Sequence, residues 1–363
     1  MSHPAKHQRA RRAASTAAFA ACALALAGCA LIPGGGKKAA PTTTPPKASA
    51  GATTTTEPDS SGRPTLAGLK PGKWEDAETP PGAFEAEGFT VFQGKLWVAG
   101  GFNQARQVVR DVWIFDPGTE TWEAGPKLPK AMTHVTLGST NDKLLAIGGF
   151  TFDTPGTAVD TVFELDGEGG EWTKGPKLPV KMGAAAAAYD GERLVLGGGV
   201  LQSGRPTNAV YIFEDDHWRK LGDQLTRARE HLAADTDGKG SVYFIAGEQT
   251  VNNQKTEFST VDVVKGNKVT KVGELPINRG AVAGFWLPPA TACAVGGRNS
   301  DGRPVGAVDC VSADGKKVSL PSLPEPRFGI AAALFEDRLY AFGGFTPDKV
   351  SSDDATVLSL TGK

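Results

Sequence analysis

The chain has 363 residues, with 39 basic and 40 acidic side chains, a formal net charge of −1 and four cysteines. A balance so close to neutral lacks the basic stripe that nucleic acid requires, and so few cysteines exclude a small disulfide-built scaffold. In chain order, residues 1–28 read as an export signal: Lys6, Arg9, Arg11 and Arg12 precede an apolar run from Ala17 to Ala27 that is too short to span a bilayer permanently. Residues 29–67 are dominated by Pro, Thr, Gly, Ala and Ser; such a tract buries too little apolar surface to offset its ordering entropy, so a flexible tether is expected. Residues 68–363 are long enough to bury a single large core.

The signal ends in Leu26-Ala27-Gly28-Cys29, which resembles a bacterial lipobox. The resemblance implies cleavage before Cys29, a lipid on its sulfur, and a chain held at the extracytoplasmic face of the cell membrane. Each buried acyl CH₂ contributes roughly 0.8 kcal/mol, so two or more chains anchor stably. Loss of the signal removes four basic residues and no acidic ones, leaving 35 against 40 and a net charge of −5.

From Gly100 onward a glycine signature recurs: Gly100-Gly101, Gly148-Gly149, Gly197-Gly198, Gly247-Glu248, Gly296-Gly297 and Gly343-Gly344, in steps of 48, 49, 50, 49 and 47. An apolar strand precedes each, such as Leu96-Trp97-Val98-Ala99 and Leu339-Tyr340-Ala341-Phe342. A second strand follows about ten residues later, and a third carries Trp122, Trp172 or Trp218 in the first three repeats. Small-residue runs such as Ala184 to Ala188 suit an innermost strand crowded around an axis. The repeat resembles the kelch family from Trp74 to the C-terminus. It implies an all-β, six-bladed propeller with four antiparallel strands per blade. The last repeat has no tryptophan strand after Leu360, and Gly72-Lys73-Trp74-Glu75 is expected to supply it and close the ring, removing exposed sheet edges.

Cys22 leaves with the signal and Cys29 takes lipid, so Cys293 and Cys310 remain. They fall on neighbouring strands of one blade, in a register that sets them opposite each other if Gly296 faces Ala307. A disulfide is expected outside the cytoplasm, with two buried thiols as the competing reading.

One position just before each innermost strand reads Phe84, Met132, Met182, Arg229, Arg279, Arg327 in blade order. It predicts an apolar arc and a basic arc around the channel, with Arg298, Arg205 and Arg303 adding to the basic side. Arginine forks bind carboxylates and phosphates, and thioethers and a ring suit an apolar or sugar face; the other role for such arginines is bracing loops. His134 and His231 lie two residues beyond that position. No metal, cofactor or catalytic set is expected. The reading is a monomeric, lipid-anchored binding or scaffold protein for a protein or anionic glycan. The alternatives are a sugar-acid isomerase similar to kelch sialate mutarotases, with Glu85, Glu230 or Glu325 as its acid/base group, and a platform for a membrane or cell-wall enzyme.

Overall fold

The computed structural model describes residues 62–348 and 350–362; the export signal, Cys29 and most of the tether lie outside them. The described residues form six four-stranded antiparallel sheets arranged as a β-propeller, together with two small two-stranded sheets. Blade 1 comprises Gly88–Phe92, Lys95–Ala99, Val112–Asp116 and Thr121–Ala124, counted from the axis outward. Blade 2 comprises Thr136–Ser139, Lys143–Ile147, Val162–Asp166 and Thr173–Lys174, and blade 3 comprises Ala186–Tyr189, Leu194–Gly197, Ala209–Glu214 and His217–Gln224. Blade 4 comprises Ala233–Thr236, Ser241–Ile245, Thr260–Lys265 and Lys268–Glu274, and blade 5 comprises Ala283–Leu287, Thr291–Val295, Val308–Ser312 and Lys317–Leu320. Blade 6 takes three strands from the C-terminal end, Ala331–Phe335, Arg338–Phe342 and Ala355–Ser359, and its outermost strand, Trp74–Asp76, from the N-terminal end. Trp74 faces Leu358 and Asp76 faces Thr356, so the ring closes as expected.

The second strands are buried almost throughout, as continuous apolar runs should be between packed blades. The core is accordingly a set of interblade seams. Outer tryptophans stitch neighbours together by donating their indole N–H to a carbonyl of the preceding blade: Trp172 to Pro126 at 2.7 Å, Trp218 to Pro176 at 2.9 Å and Trp74 to Pro321 at 2.9 Å. The Cys293 and Cys310 sulfurs are bonded across directly opposed strand positions of blade 5.

The structure shifts the glycine register in two blades. The residue whose N–H enters the ladder and whose φ is left-handed is Gly198 in blade 3 and Ala246 in blade 4, followed by Gly199 and Gly247. Gly197 is an ordinary strand residue, and Glu248 is not a substituted glycine. The need for glycine is local. A Cβ on Gly100 would come within 2.3 Å of the Met132 carbonyl oxygen, and one on Gly148 within 2.4 Å of that of Met182.

Residues 62–67, assigned by composition to the tether, are docked on the propeller. Arg63 donates to the Asp235 carboxylate at 2.8 Å and to the Trp286 carbonyl at 3.0 Å, near the ends of the innermost strands of blades 4 and 5. Leu66 and Leu69 pack onto the core shared by blades 5 and 6. This is the far end of the channel; the starts of the innermost strands surround the opposite end, the mouth.

Candidate functional site: the mouth of the channel

The mouth is built on a sixfold backbone frame. Ala86, His134, Ala184, His231, Ala281 and Gly329, two residues past the position singled out in sequence, all have left-handed φ between 51° and 58°. The N–H of His134 donates to Ala86 O, Ala184 to His134, His231 to Ala184, Ala281 to His231 and Gly329 to Ala281, at 2.8–2.9 Å. Each link joins neighbouring blades, so the collar fixes the position of the side chains it carries. Above it stand the residues that follow the second glycine of each blade: Phe102, Phe150, Val200, Glu248, Arg298 and Phe345. Each bridges to the strand entry beside it, as in Glu230 with Glu248 and Glu85 with Phe102.

Arg229, Arg279 and Arg327 do not reach this mouth. They are 0–1% exposed, and each side chain enters the following blade. Arg229 donates to Asp262 at 3.0 Å and to the carbonyls of Thr260 and Phe244. Arg279 donates to Asp309 at 2.6 Å and to Ala294 O. Arg327 donates to Thr356 and to the carbonyls of Gly343 and Asp354. Phe84, Met132 and Met182 are equally buried and lie in apolar seams with Trp113, Phe163 and Tyr211, which occupy the strand position of Asp262, Asp309 and Thr356. Of the two roles open to the arc, the geometry is that of bracing: polar ring residues meet polar partners and apolar ones meet aromatic partners. Arg205 and Arg303 sit exposed on loops.

Arg298 is the arginine that does reach the mouth. Its Nε donates to Glu248 at 3.1 Å, a second bond runs from Nη2 to the other carboxylate oxygen, and its guanidinium lies 5.0 Å over the Phe328 ring. Glu248 is 1% exposed and is also approached by Lys255 and His231, each at 3.4 Å. Burial alone would raise its pKa, but the Arg298 hydrogen bond and the positive groups around it bring the carboxyl down to about 2. Glu230 has the opposite fate: burial, reinforced by the charge of Glu248, pushes it up to about 7. Across the mouth Arg106 pairs with Glu85 and lies 4.6 Å over Phe102, while Ser351 donates to Glu85 at 3.0 Å. The His134 and His231 rings meet edge to face, 5.0 Å apart. Burial lowers both, His134 to about 4, so both are neutral imidazoles. Glu325 is not among the residues lining either mouth cavity.

A cavity of about 400 Å³ lies between Thr154 and Pro155 of blade 2 and the blade 4 hairpin Glu248–Val251, Gln254–Glu257, floored by Glu230, His231 and Arg298. Phe152 and Val251, on the same two loops, are 67% and 47% exposed. The mouth thus offers stacked cations, aromatic faces and a titratable carboxyl, with both arginines already matched to carboxylates. Glu85, Glu230, Arg298 and the two histidines were legible in sequence. Glu248, Lys255, Arg106 and the phenylalanines were missed. The signal that finds most of them is the residue after the second glycine, hidden while the blade 4 register was off by one.

Residues 88–129 and 131–179, which are blades 1 and 2, match the kelch motif. Over 84 residues the chain is 32% identical to human Kelch-like protein 35, an alignment covering 23% of this chain and 12% of that protein. The chain therefore spans only about an eighth of the length of that relative. The chain is thus a six-bladed β-propeller that carries kelch motifs in its first two blades.

Proposed function

We propose that the protein is a membrane-anchored, extracytoplasmic binding or scaffold protein that engages a protein or glycan at the channel mouth. The observation that carries the reading is the blade 2 and blade 4 loops, which hold exposed Phe152 and Val251 beside a polar cavity whose side chains are positioned by the hydrogen-bonded collar. Apolar rims around a preorganised polar floor are what a specific interface needs. Anchoring rests on Leu26-Ala27-Gly28-Cys29. Purification in mild detergent of wild type, Phe152→Ala and Arg106→Ala, with a glycan array in parallel, tests the reading. A stoichiometric partner or a glycan retained by wild type and lost by both variants supports it; equal retention by all three removes the mouth from the interaction. Partner loss without any array signal favours the platform for a membrane or cell-wall enzyme. Cys29→Ser should release the protein from the membrane fraction, and unchanged fractionation would end the lipid-anchor reading.

A second reading, a sugar-acid isomerase similar to kelch sialate mutarotases, draws on Glu230, whose pKa near neutrality suits acid/base work. Anomer exchange of sialic acid, followed by NMR with wild type and Glu230→Gln, tests it; identical rates with and without protein would end it.

A further inference from the structure

Just inside the collar, a second cavity of about 140 Å³ follows the channel axis. Its lining includes the next residue of each blade: Glu87, Val135, Ala185, Leu232, Val282 and Ile330. Five are apolar. Glu87 breaks the pattern: its carboxyl is met by its own backbone N–H and by no donor from another described residue. A buried polar group left short of partners costs up to about 1–3 kcal/mol, so a carboxyl with only that local bond, placed where five blades have aliphatic or alanine side chains, calls for a compensating function. Among the described residues no cation compensates it. Arg106 is committed to Glu85 and Arg298 to Glu248, and the charge that acts on Glu87 is the negative one of Glu85.

We propose that the channel neck is a socket for a primary alkylammonium group, as carried by a lysine side chain or a small amine, with the nitrogen on Glu87 and its methylene stem against Val135, Leu232, Val282 and Ile330. The cavity far exceeds the roughly 10–15 Å³ that one water needs. An ammonium has three donors and no acceptor, so it satisfies both carboxylate oxygens at once. Its aliphatic stem gains from apolar walls that a hydrated inorganic cation would not use. The two imidazoles above the neck are neutral and do not repel an entering cation. Burial pushes Glu87 up to about 8. At neutral pH the empty socket therefore holds a carboxylic acid, which releases its proton to solvent as the ammonium ion binds.

This proposal stands apart from the mouth reading, and its test is separate. The full chain is titrated calorimetrically with n-butylammonium and with a short lysine-containing peptide, with n-butanol and butyrate as controls. Wild type should bind at least one of the two amines saturably and neither control. Glu87→Gln should bind at least tenfold more weakly. Binding of the peptide alone identifies a protein lysine as the source; binding of butylammonium alone identifies a small amine. Glu87→Leu, which matches the other blades, should abolish binding while melting above wild type. Absence of binding by either amine, equal affinity in Glu87→Gln, equal binding of butanol, or a lowered melting temperature in Glu87→Leu would overturn the proposal.

Discussion

Trp74 lies opposite Leu358 on the outer edge of the last blade while its indole N–H donates to the Pro321 carbonyl of the blade before it. One residue from the start of the domain thus completes one blade and is hydrogen-bonded to another. Deep aromatic truncations cost about 3–5 kcal/mol, and Trp74 is half-buried. Trp74→Ala should therefore lower stability by about 1–3 kcal/mol, whereas deleting residues 1–61 should leave the melting temperature unchanged. Equal melting of Trp74→Ala and wild type would mean that the ring does not need this strand.

Arg279→Ala should be strongly destabilising, because it leaves Asp309 buried without its partner. Removing one member of a buried pair costs roughly 3–5 kcal/mol. Blade 2 places Met132 and Phe163 at the corresponding positions, so the double variant Arg279→Met, Asp309→Phe should recover much of that loss. Denaturant unfolding of the three proteins measures it, and a neutral Arg279→Ala would return the arginine arc to candidacy as a binding site.

The Cys293–Cys310 bond joins residues 17 apart. Closing a loop of about 15 residues is worth roughly 3 kcal/mol in the chain-entropy account. Reduction, or a Cys293→Ala, Cys310→Ala pair, should lower the melting temperature by several degrees. Thiol titration of the unfolded, unreduced mature protein should find both cysteines blocked; two free thiols would show that the bond does not form.

Glu230 makes stability fall with rising pH. Its folded pKa, about 7, lies above the ordinary value of 4.5, so the folded state binds the extra proton. That contribution is complete below about 4.5, is lost as pH rises through about 7, and is absent above. Glu87, at about 8, extends the same trend. Glu248 acts in the reverse direction, contributing above its unfolded value and losing it only as pH falls toward about 2. Between pH 5 and 8 the melting temperature of wild type should therefore decline more steeply than that of Glu230→Gln. Parallel profiles would show that Glu230 is ordinary.

Blade number, ring closure and the disulfide register were legible because strand repeats are local signals: an apolar run, two glycines and a tryptophan within one blade. The roles of Arg229, Arg279 and Arg327 were not, because their partners lie 29 to 33 residues away, on the third strand of the blade that each arginine enters. Read across blades, the pattern is present in the sequence: arginine is followed at that distance by Asp262, Asp309 or Thr356, and Phe84, Met132 and Met182 by aromatic residues. Ala246 shows the other limit. Its left-handed φ of 55° is a conformation that glycine adopts more readily, so composition pointed to the neighbouring Gly247 and displaced Glu248 from view.

Arg63 gives the propeller a mechanical polarity. The chain enters beneath the axis at the far end, held by Arg63 to Asp235, then runs outward past Leu66 and Leu69 to the edge strand at Trp74. A load arriving from upstream is borne first by that ion pair, then by those two leucines, and next by the peeling of one three-residue strand. The collar of Ala86, His134, Ala184, His231, Ala281 and Gly329 lies at the other end of the innermost strands and carries none of it until the edge strand gives way. A pull on the chain upstream of Arg63 and occupancy of the mouth would thus act at opposite ends of the innermost strands.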